Sequence, residues 1–191
     1  SGAFRSPGIG NIDVASEIKP EKSFVTELEM GYRINDYMFF TANVFDIKIS
    51  NSIIYYDNGG WTPGVDWGYE NADNAGSDGF ELEFKAMHTK GFATVNYSFY
   101  TQAYRPVPES YSIPGHENSA LALPQHKIGV NLNYMPVKNI HIGPSLVYFG
   151  KKYGYVGVDE EYNATVGEMG PDYLVNLTLT YENMFRNGFS L

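Results

Sequence analysis

The chain has 191 residues, enough for one domain with a sizeable core, and no cysteine, which removes disulfide staples, thiolate metal sites and thiol nucleophiles. Thirteen basic residues against 22 acidic ones give a net charge of -9, which argues against nucleic acid as a partner. Charged residues make up only 18% while aromatics reach 16%, so the chain carries more aromatic surface than its charge can keep solvated. No apolar run approaches the ~20 residues of a membrane-spanning helix. A barrel of strands escapes such a scan, because only alternate residues face lipid.

The chain starts Ser1-Gly2-Ala3 without a basic-then-apolar leader, so a signal peptide is expected to have been removed or to lie outside this piece. Residues 1 to 21, with Pro7, Gly8, Gly10 and Pro20, read as the end of a strand and a loop. From Lys22 onward Phe24, Thr26, Leu28, Met30, Tyr32 and Ile34 alternate with Ser23, Val25, Glu27, Glu29, Gly31 and Arg33, giving a strand with one apolar and one wetter face. Asn35-Asp36 reverses it, and Tyr37 to Tyr56 travels back. The apolar phase there slips from Met38, Phe40, Ala42 and Val44 to Phe45, Ile47 and Ile49, which predicts a bulge near Val44.

A Gly- and Pro-rich loop is predicted over 57 to 68, holding Trp61 and Trp67. The third strand, Tyr69 to His88, alternates Phe80, Leu82, Phe84 and Ala86 with Glu81, Glu83 and Lys85, and turns at Thr89-Lys90-Gly91. A fourth runs from Phe92 to Tyr104, followed by a loop from Arg105 to Leu123. The fifth spans Gln125 to Met135, a turn covers Pro136 to Asn139, and the sixth covers Ile140 to Tyr153. After a long loop from Gly154 to Pro171 comes the seventh, Asp172 to Glu182. A turn from Asn183 to Gly188 opens an eighth.

Short turns therefore alternate with long loops, and the strands exceed the roughly 5 to 6 residues usual in globular sheets. The pattern predicts an all-β fold: an antiparallel transmembrane β-barrel, here a partial barrel of about eight long strands with short periplasmic turns and long extracellular loops. A soluble β-sandwich is the alternative, since it also alternates. Backbone groups in lipid must all be paired, so this piece is expected to be a fragment of a larger closed barrel.

Particular stretches then match a family. Ala3-Phe4-Arg5-Ser6-Pro7, Lys19-Pro20-Glu21-Lys22-Ser23 and Glu27-Leu28-Glu29-Met30-Gly31-Tyr32 resemble boxes of TonB-dependent outer-membrane receptors. So do Asn43-Val44-Phe45-Asp46-Ile47 with Ile53-Ile54-Tyr55, Tyr69-Glu70-Asn71-Ala72 with Gly76-Ser77-Asp78-Gly79-Phe80-Glu81-Leu82-Glu83, and Leu123-Pro124-Gln125-His126-Lys127, in order. The resemblance implies that residues 1–191 are the distal part of one such barrel of about 22 strands, without the plug domain, early strands or last strand. It implies active uptake of a bulky, scarce nutrient across the outer membrane of a Gram-negative bacterium, a ferric siderophore above all, with haem, cobalamin or glycans as other ligands. Its partners would be outer-membrane lipid and lipopolysaccharide, the small-molecule metal chelate, and TonB acting through the plug. A passive porin or a surface-adhesion barrel is the alternative.

Candidate ligand contacts are Trp61, Trp67 and Tyr69, whose aromatic faces suit siderophores or sugars. Arg105, Tyr111 and His116 suit an anionic ligand, and Tyr153 and Tyr155, beside Lys151 and Lys152, suit ligand or lipopolysaccharide phosphates. Each group has a simpler reading as interfacial aromatics or solvated loop. The histidines at 88, 116, 126 and 141 lack metal-ligand spacing, and Asp159-Glu160-Glu161 reads as a solvated acidic loop. Phe4-Arg5-Ser6-Pro7 resembles half of a haem-importer signature whose other half is missing. Glu27/Glu29 and Glu81/Glu83 are alternating residues on one face, and neither a catalytic set nor a cofactor motif is found.

Overall fold

The computed structural model describes residues 1–8, 18–57, 67–103, 105, 107–108, 111–116, 119–162 and 164–182. The strands are β1 (Gly2–Arg5), β2 (Glu21–Asn35), β3 (Met38–Asp57), β4 (Trp67–His88), β5 (Gly91–Thr101), β6 (His126–Val137), β7 (Ile140–Phe149), β8 (Lys152–Val158), β9 (Ala164–Met169) and β10 (Asp172–Tyr181). Eight of them form one sheet in the order β1-β2-β3-β4-β5-β6-β7-β10, and β8 pairs with β9 in a separate two-stranded sheet. The all-β, antiparallel expectation holds. The expected eighth strand after residue 182 and most of the expected loop over 57 to 68 lie outside the described residues.

The residues fall into two compact units: Ser1–Glu27, Phe45–Gly79 and Tyr100–Leu123 in the first, Leu28–Val44, Phe80–Phe99 and Pro124–Leu191 in the second. The second holds the short turns. At the β2–β3 reversal Asn35 Oδ1 accepts the Tyr37 amide at 2.9 Å, and Arg33 Nη2 donates to Asp36 Oδ1 at 2.6 Å. This is why an Asn-Asp pair can close a long hairpin tightly. Between β6 and β7, Asn139 adopts φ 67, a left-handed conformation that Asn tolerates, and its carbonyl accepts the Glu182 amide at 2.8 Å. Pro136 has no amide to donate, and the β6–β7 register shifts between Tyr134 and Val137 to accommodate it.

Register puts like residues in rows. Ile128 faces Tyr148, which faces Tyr173, and Val130 faces Leu146, which faces Val175. One step further along, Asn131, Ser145 and Asn176 form a polar row, whereas the row between the two apolar ones is Gly129, Val147 and Leu174. A sandwich would bury the apolar rows against a second layer. Here no second layer buries them: Ile128, Val130, Leu146 and Tyr148 are half-buried, Val175 is 66% exposed, and on β2 Leu28 and Met30 are each 70% exposed. Among the described residues the buried hydrophobic side chains are just Ile54 and Ile113. Such a surface in water would drive aggregation, so its solvent is hydrocarbon.

Three expectations are corrected. The long loop expected over 154 to 171 is mostly the β8–β9 hairpin, with Lys152 opposite Met169 and Gly154 opposite Gly167. The sixth strand, expected to reach Tyr153, ends at Phe149. There Gly150 donates its amide to the His126 carbonyl at 2.7 Å, and a side chain at residue 150 would crowd the His126 Cβ. The fourth strand likewise stops at Thr101 rather than Tyr104.

Candidate functional site

The first unit is tied by polar side chains rather than by rows. Asn71, on β4, is the centre of one knot. Its Oδ1 accepts the Lys19 amide at 2.7 Å, and its Nδ2 donates to the Lys19 carbonyl at 3.0 Å and the Asn51 carbonyl at 2.9 Å. Asn51 has φ 54, which turns its carbonyl out of the regular ladder of β3. Next to it Glu21 Oε2 accepts the Ile53 amide at 3.1 Å. The Lys19-to-Ser23 and Tyr69-to-Ala72 boxes read in the sequence thus meet, and their polar residues satisfy backbone groups that strand pairing leaves over.

A second knot holds the segment after β5. Arg105 Nη2 donates to Asp46 Oδ1 and lies 3.3 Å from Asp78 Oδ1, while Lys48 Nζ is 3.5 Å from Asp46 Oδ2. The two carboxylates come from β3 and β4, and the cation from a loop 59 residues downstream of Asp46. Arg105 Nε and Asp78 Oδ2 are buried with no hydrogen-bond partner among the described residues. Glycine is required at residue 76, because a Cβ there would overlap the Ile47 carbonyl and press on the Arg105 side chain.

Beyond Arg105 the loop folds on itself. Tyr111 donates its amide to the Pro108 carbonyl at 2.8 Å and accepts the Leu121 amide at 2.9 Å, and His116 donates its amide to the Ile113 carbonyl at 2.9 Å. Ile113 and Gln102 are buried within it. Between this loop and the strands lies a cleft of about 290 Å³, bordered by Tyr111, Pro108 and Leu121 on one side and Ile47, Ile49 and Ser77 on the other. It is the size of a small aromatic group rather than of a whole metal chelate.

The expected contacts are distributed as follows. Trp61 lies outside the described residues, and Trp67 opens β4. The Tyr69 ring packs edge-on against Tyr55 with centroids 5.5 Å apart. Arg105, Tyr111 and His116 share the loop, with Arg105 engaged by carboxylates and Tyr111 on the cleft. Tyr153 and Tyr155 sit on β8, Tyr155 with its side chain exposed. At the base of that hairpin Lys151 lies 2.6 Å from Glu168, whose hydrogen bond and charge raise the lysine pKa above its ordinary 10.5. Asp46, Asp78 and Gln102 were not singled out from the sequence as site residues. Their roles depend on partners far along the chain.

Two of the histidines serve structure. His126 Nδ1 is 2.8 Å from the Tyr97 hydroxyl, and His141 bridges Asn133 at 3.1 Å and Glu182 at 3.5 Å. Among the described residues no group of three or more His, Asp or Glu could hold a metal.

Residues 1–191 match the family described as TonB dependent receptor-like, beta-barrel. No curated protein matches the chain. Among solved structures, a point variant of the ferric enterobactin receptor PfeA from Pseudomonas aeruginosa superposes with a TM-score of 0.69 at 14% identity, over 94% of this chain and 29% of that one. The siderophore receptor PirA from Acinetobacter baumannii gives 0.64 at 14% identity, over 87% and 26%. The ferric-catecholate import receptor Fiu of E. coli K12 gives 0.61 at 19% identity, over 97% and 24%. The chain thus spans about a quarter of the length of these proteins, and at such identities the likeness is one of fold. With open apolar rows and a family match over its whole length, the chain belongs to the TonB-dependent receptor β-barrels of the Gram-negative outer membrane, which are receptors and not enzymes.

Proposed function

We propose that the protein to which this chain belongs is a TonB-dependent transporter that takes up a bulky, scarce nutrient, a ferric siderophore in particular. The observation that carries this reading is the barrel wall itself: apolar residues on the lipid side alternate with polar ones, in a family of energised receptors. Support for the ligand class comes from the fold neighbours, three of which are named for siderophore, ferric enterobactin or ferric-catecholate recognition. In this reading the long loops lie outside the cell and the short turns in the periplasm, with TonB acting through a plug. The aromatic side chains Trp61, Trp67 and Tyr69, the loop residues Arg105, Tyr111 and His116, and the hairpin residues Tyr153 and Tyr155 contact the ligand. Tyr111 offers a ring beside the cleft, and Arg105 can release Asp46 or Asp78 to meet a ligand anion only at the cost of its present ion pairs.

The test is growth of a deletion strain, complemented with the full-length gene, on single iron sources and on cobalamin. Rescue on one ferric siderophore, abolished when TonB is removed, is the expected outcome. Growth that persists without TonB, or rescue restricted to cobalamin, would contradict the proposal.

A further inference from the structure

We infer that the cleft between strands β3 and β4 and the segment from Gln102 to Leu121 is a binding site for an uncharged aromatic amide. Its volume of about 290 Å³ is roughly twice that of a ~150 Å³ cavity that holds a benzene molecule, which leaves room for one ring and a polar substituent. Every described residue that borders it belongs to the first compact unit. Its part in uptake rests on the transport reading, which it sharpens by naming the chemistry of one ligand group.

Local hydrogen bonds set both walls before any ligand arrives. Where β5 ends, Thr101 Oγ1 accepts the Ala103 amide at 3.1 Å and the Gln102 carbonyl accepts the Arg105 amide at 2.9 Å, so Gln102 is fixed at a turn. Tyr111 is tied at its amide to Pro108 and at its carbonyl to Leu121, which holds the far side of the loop. The facing wall is strand: Ile47 and Ile49 come from β3 and Ser77 from β4. A site built this way loses little freedom on binding.

The lining selects the ligand. Among the described residues no Asp, Glu, Lys, Arg or His borders the cleft, and the Arg105 guanidinium of the same loop is held by Asp46 and Asp78. An anion entering it would lose water without meeting a counter-charge, so the group it takes is neutral. Ile47, Ile49 and Tyr111 supply the apolar surface that a flat ring covers. The polar element is Gln102, which is only 6% exposed and whose carboxamide has no hydrogen-bond partner among the described residues. Left alone, such a group is unfavourable. A primary amide on the ligand answers it in one plane, donating N–H to Oε1 and accepting from Nε2, whereas a carboxylate can only accept.

The experiment titrates the purified full-length receptor, in detergent, with para-fluorobenzamide, its N,N-dimethyl derivative and para-fluorobenzoate, and follows binding by fluorine NMR against empty micelles. The primary amide should bind roughly 10-fold or more tighter than either of the other two. Gln102→Met should erase the difference between the two amides, Ala75→Leu should fill the cleft and abolish binding of the primary amide, and Lys138→Gln in the β6–β7 turn should change nothing. Equal affinity of the unaltered receptor for the two amides, tighter binding of the benzoate, or no binding beyond that to empty micelles would overturn the inference whether or not the variants assemble. So would full selectivity in Gln102→Met or full binding in Ala75→Leu. The probes carry no iron and their binding needs no TonB, so failure here leaves the growth test untouched, and failure of growth leaves the cleft site standing.

Discussion

The wall formed by β5, β6, β7 and β10 and the segments knotted around Asn71 and Arg105 hold their shape by opposite means. In the wall, backbone pairing does the work, shifting register only near Pro136 between β6 and β7, and side chains repeat by row: Val130, Leu146 and Val175 on one face, Asn131, Ser145 and Asn176 on the other. Individual side chains there are interchangeable within their class, because lipid asks only that they be apolar. In the knots, single polar side chains bind backbone groups or charges far away in sequence, and no other residue type fits. A row is robust to identity and sensitive to polarity, whereas a knot is the reverse.

That contrast can be broken first at the wall. Leu177→Arg places a charge in an apolar row and should cost about 2–4 kcal/mol in folding into lipid vesicles, while Thr178→Lys on the polar face should cost little. Equal losses in assembled, heat-modifiable receptor would erase the distinction between faces. At the first knot, Asn71→Ala removes three hydrogen bonds and strands the Lys19 and Asn51 backbone groups, for about 1–3 kcal/mol. Asn71→Asp keeps the acceptor but loses both donations, so hydrogen exchange at Lys19 should rise in both variants and more in the first. An unchanged exchange rate would mean the knot contributes nothing.

Smaller again is Arg105→Ala. Asp46 and Asp78 would lose their shared cation, and the loop from 105 to 123 should loosen locally, seen as faster proteolysis confined to that loop. The smallest effect lies at the β8–β9 hairpin. Because the folded pKa of Lys151 is raised, its pairing with Glu168 supports the hairpin fully below about pH 10.5 and fades as pH climbs through the folded value. Amide exchange in β8 should therefore accelerate on the alkaline side alone, and less so at high salt, as suits an exposed pair.

The same contrast decides what the sequence made legible. Rows announce themselves, because lipid on one side and water on the other write a period of two into β2, β4, β6 and β10. Turns were legible where chemistry is local, as at Asn35-Asp36 and Lys138-Asn139. The β8–β9 hairpin was hidden: Tyr155, Val156 and Val158 are all exposed, so no face is reserved for apolar residues, and Gly154, Gly157 and Gly167 look like loop. Knots were hidden for another reason. Nothing around Arg105 indicates that its partners are Asp46 and Asp78, and the pairing exists only once β3 and β4 have brought both carboxylates to one place. The boxes at Lys19 and Asn71 were visible as words, but their mutual contact was not.

The central claim, that alternate side chains of each strand meet hydrocarbon and water, is tested most directly on β2 of the full-length receptor in a lipid bilayer. Nitroxide labels placed one at a time at residues 27 to 32 would report collision with dissolved oxygen and with an aqueous nickel chelate. The account predicts a strict alternation, oxygen-rich and nickel-poor at 28, 30 and 32 and the reverse at 27, 29 and 31. Equal nickel access at all six positions, or no period of two, would contradict it.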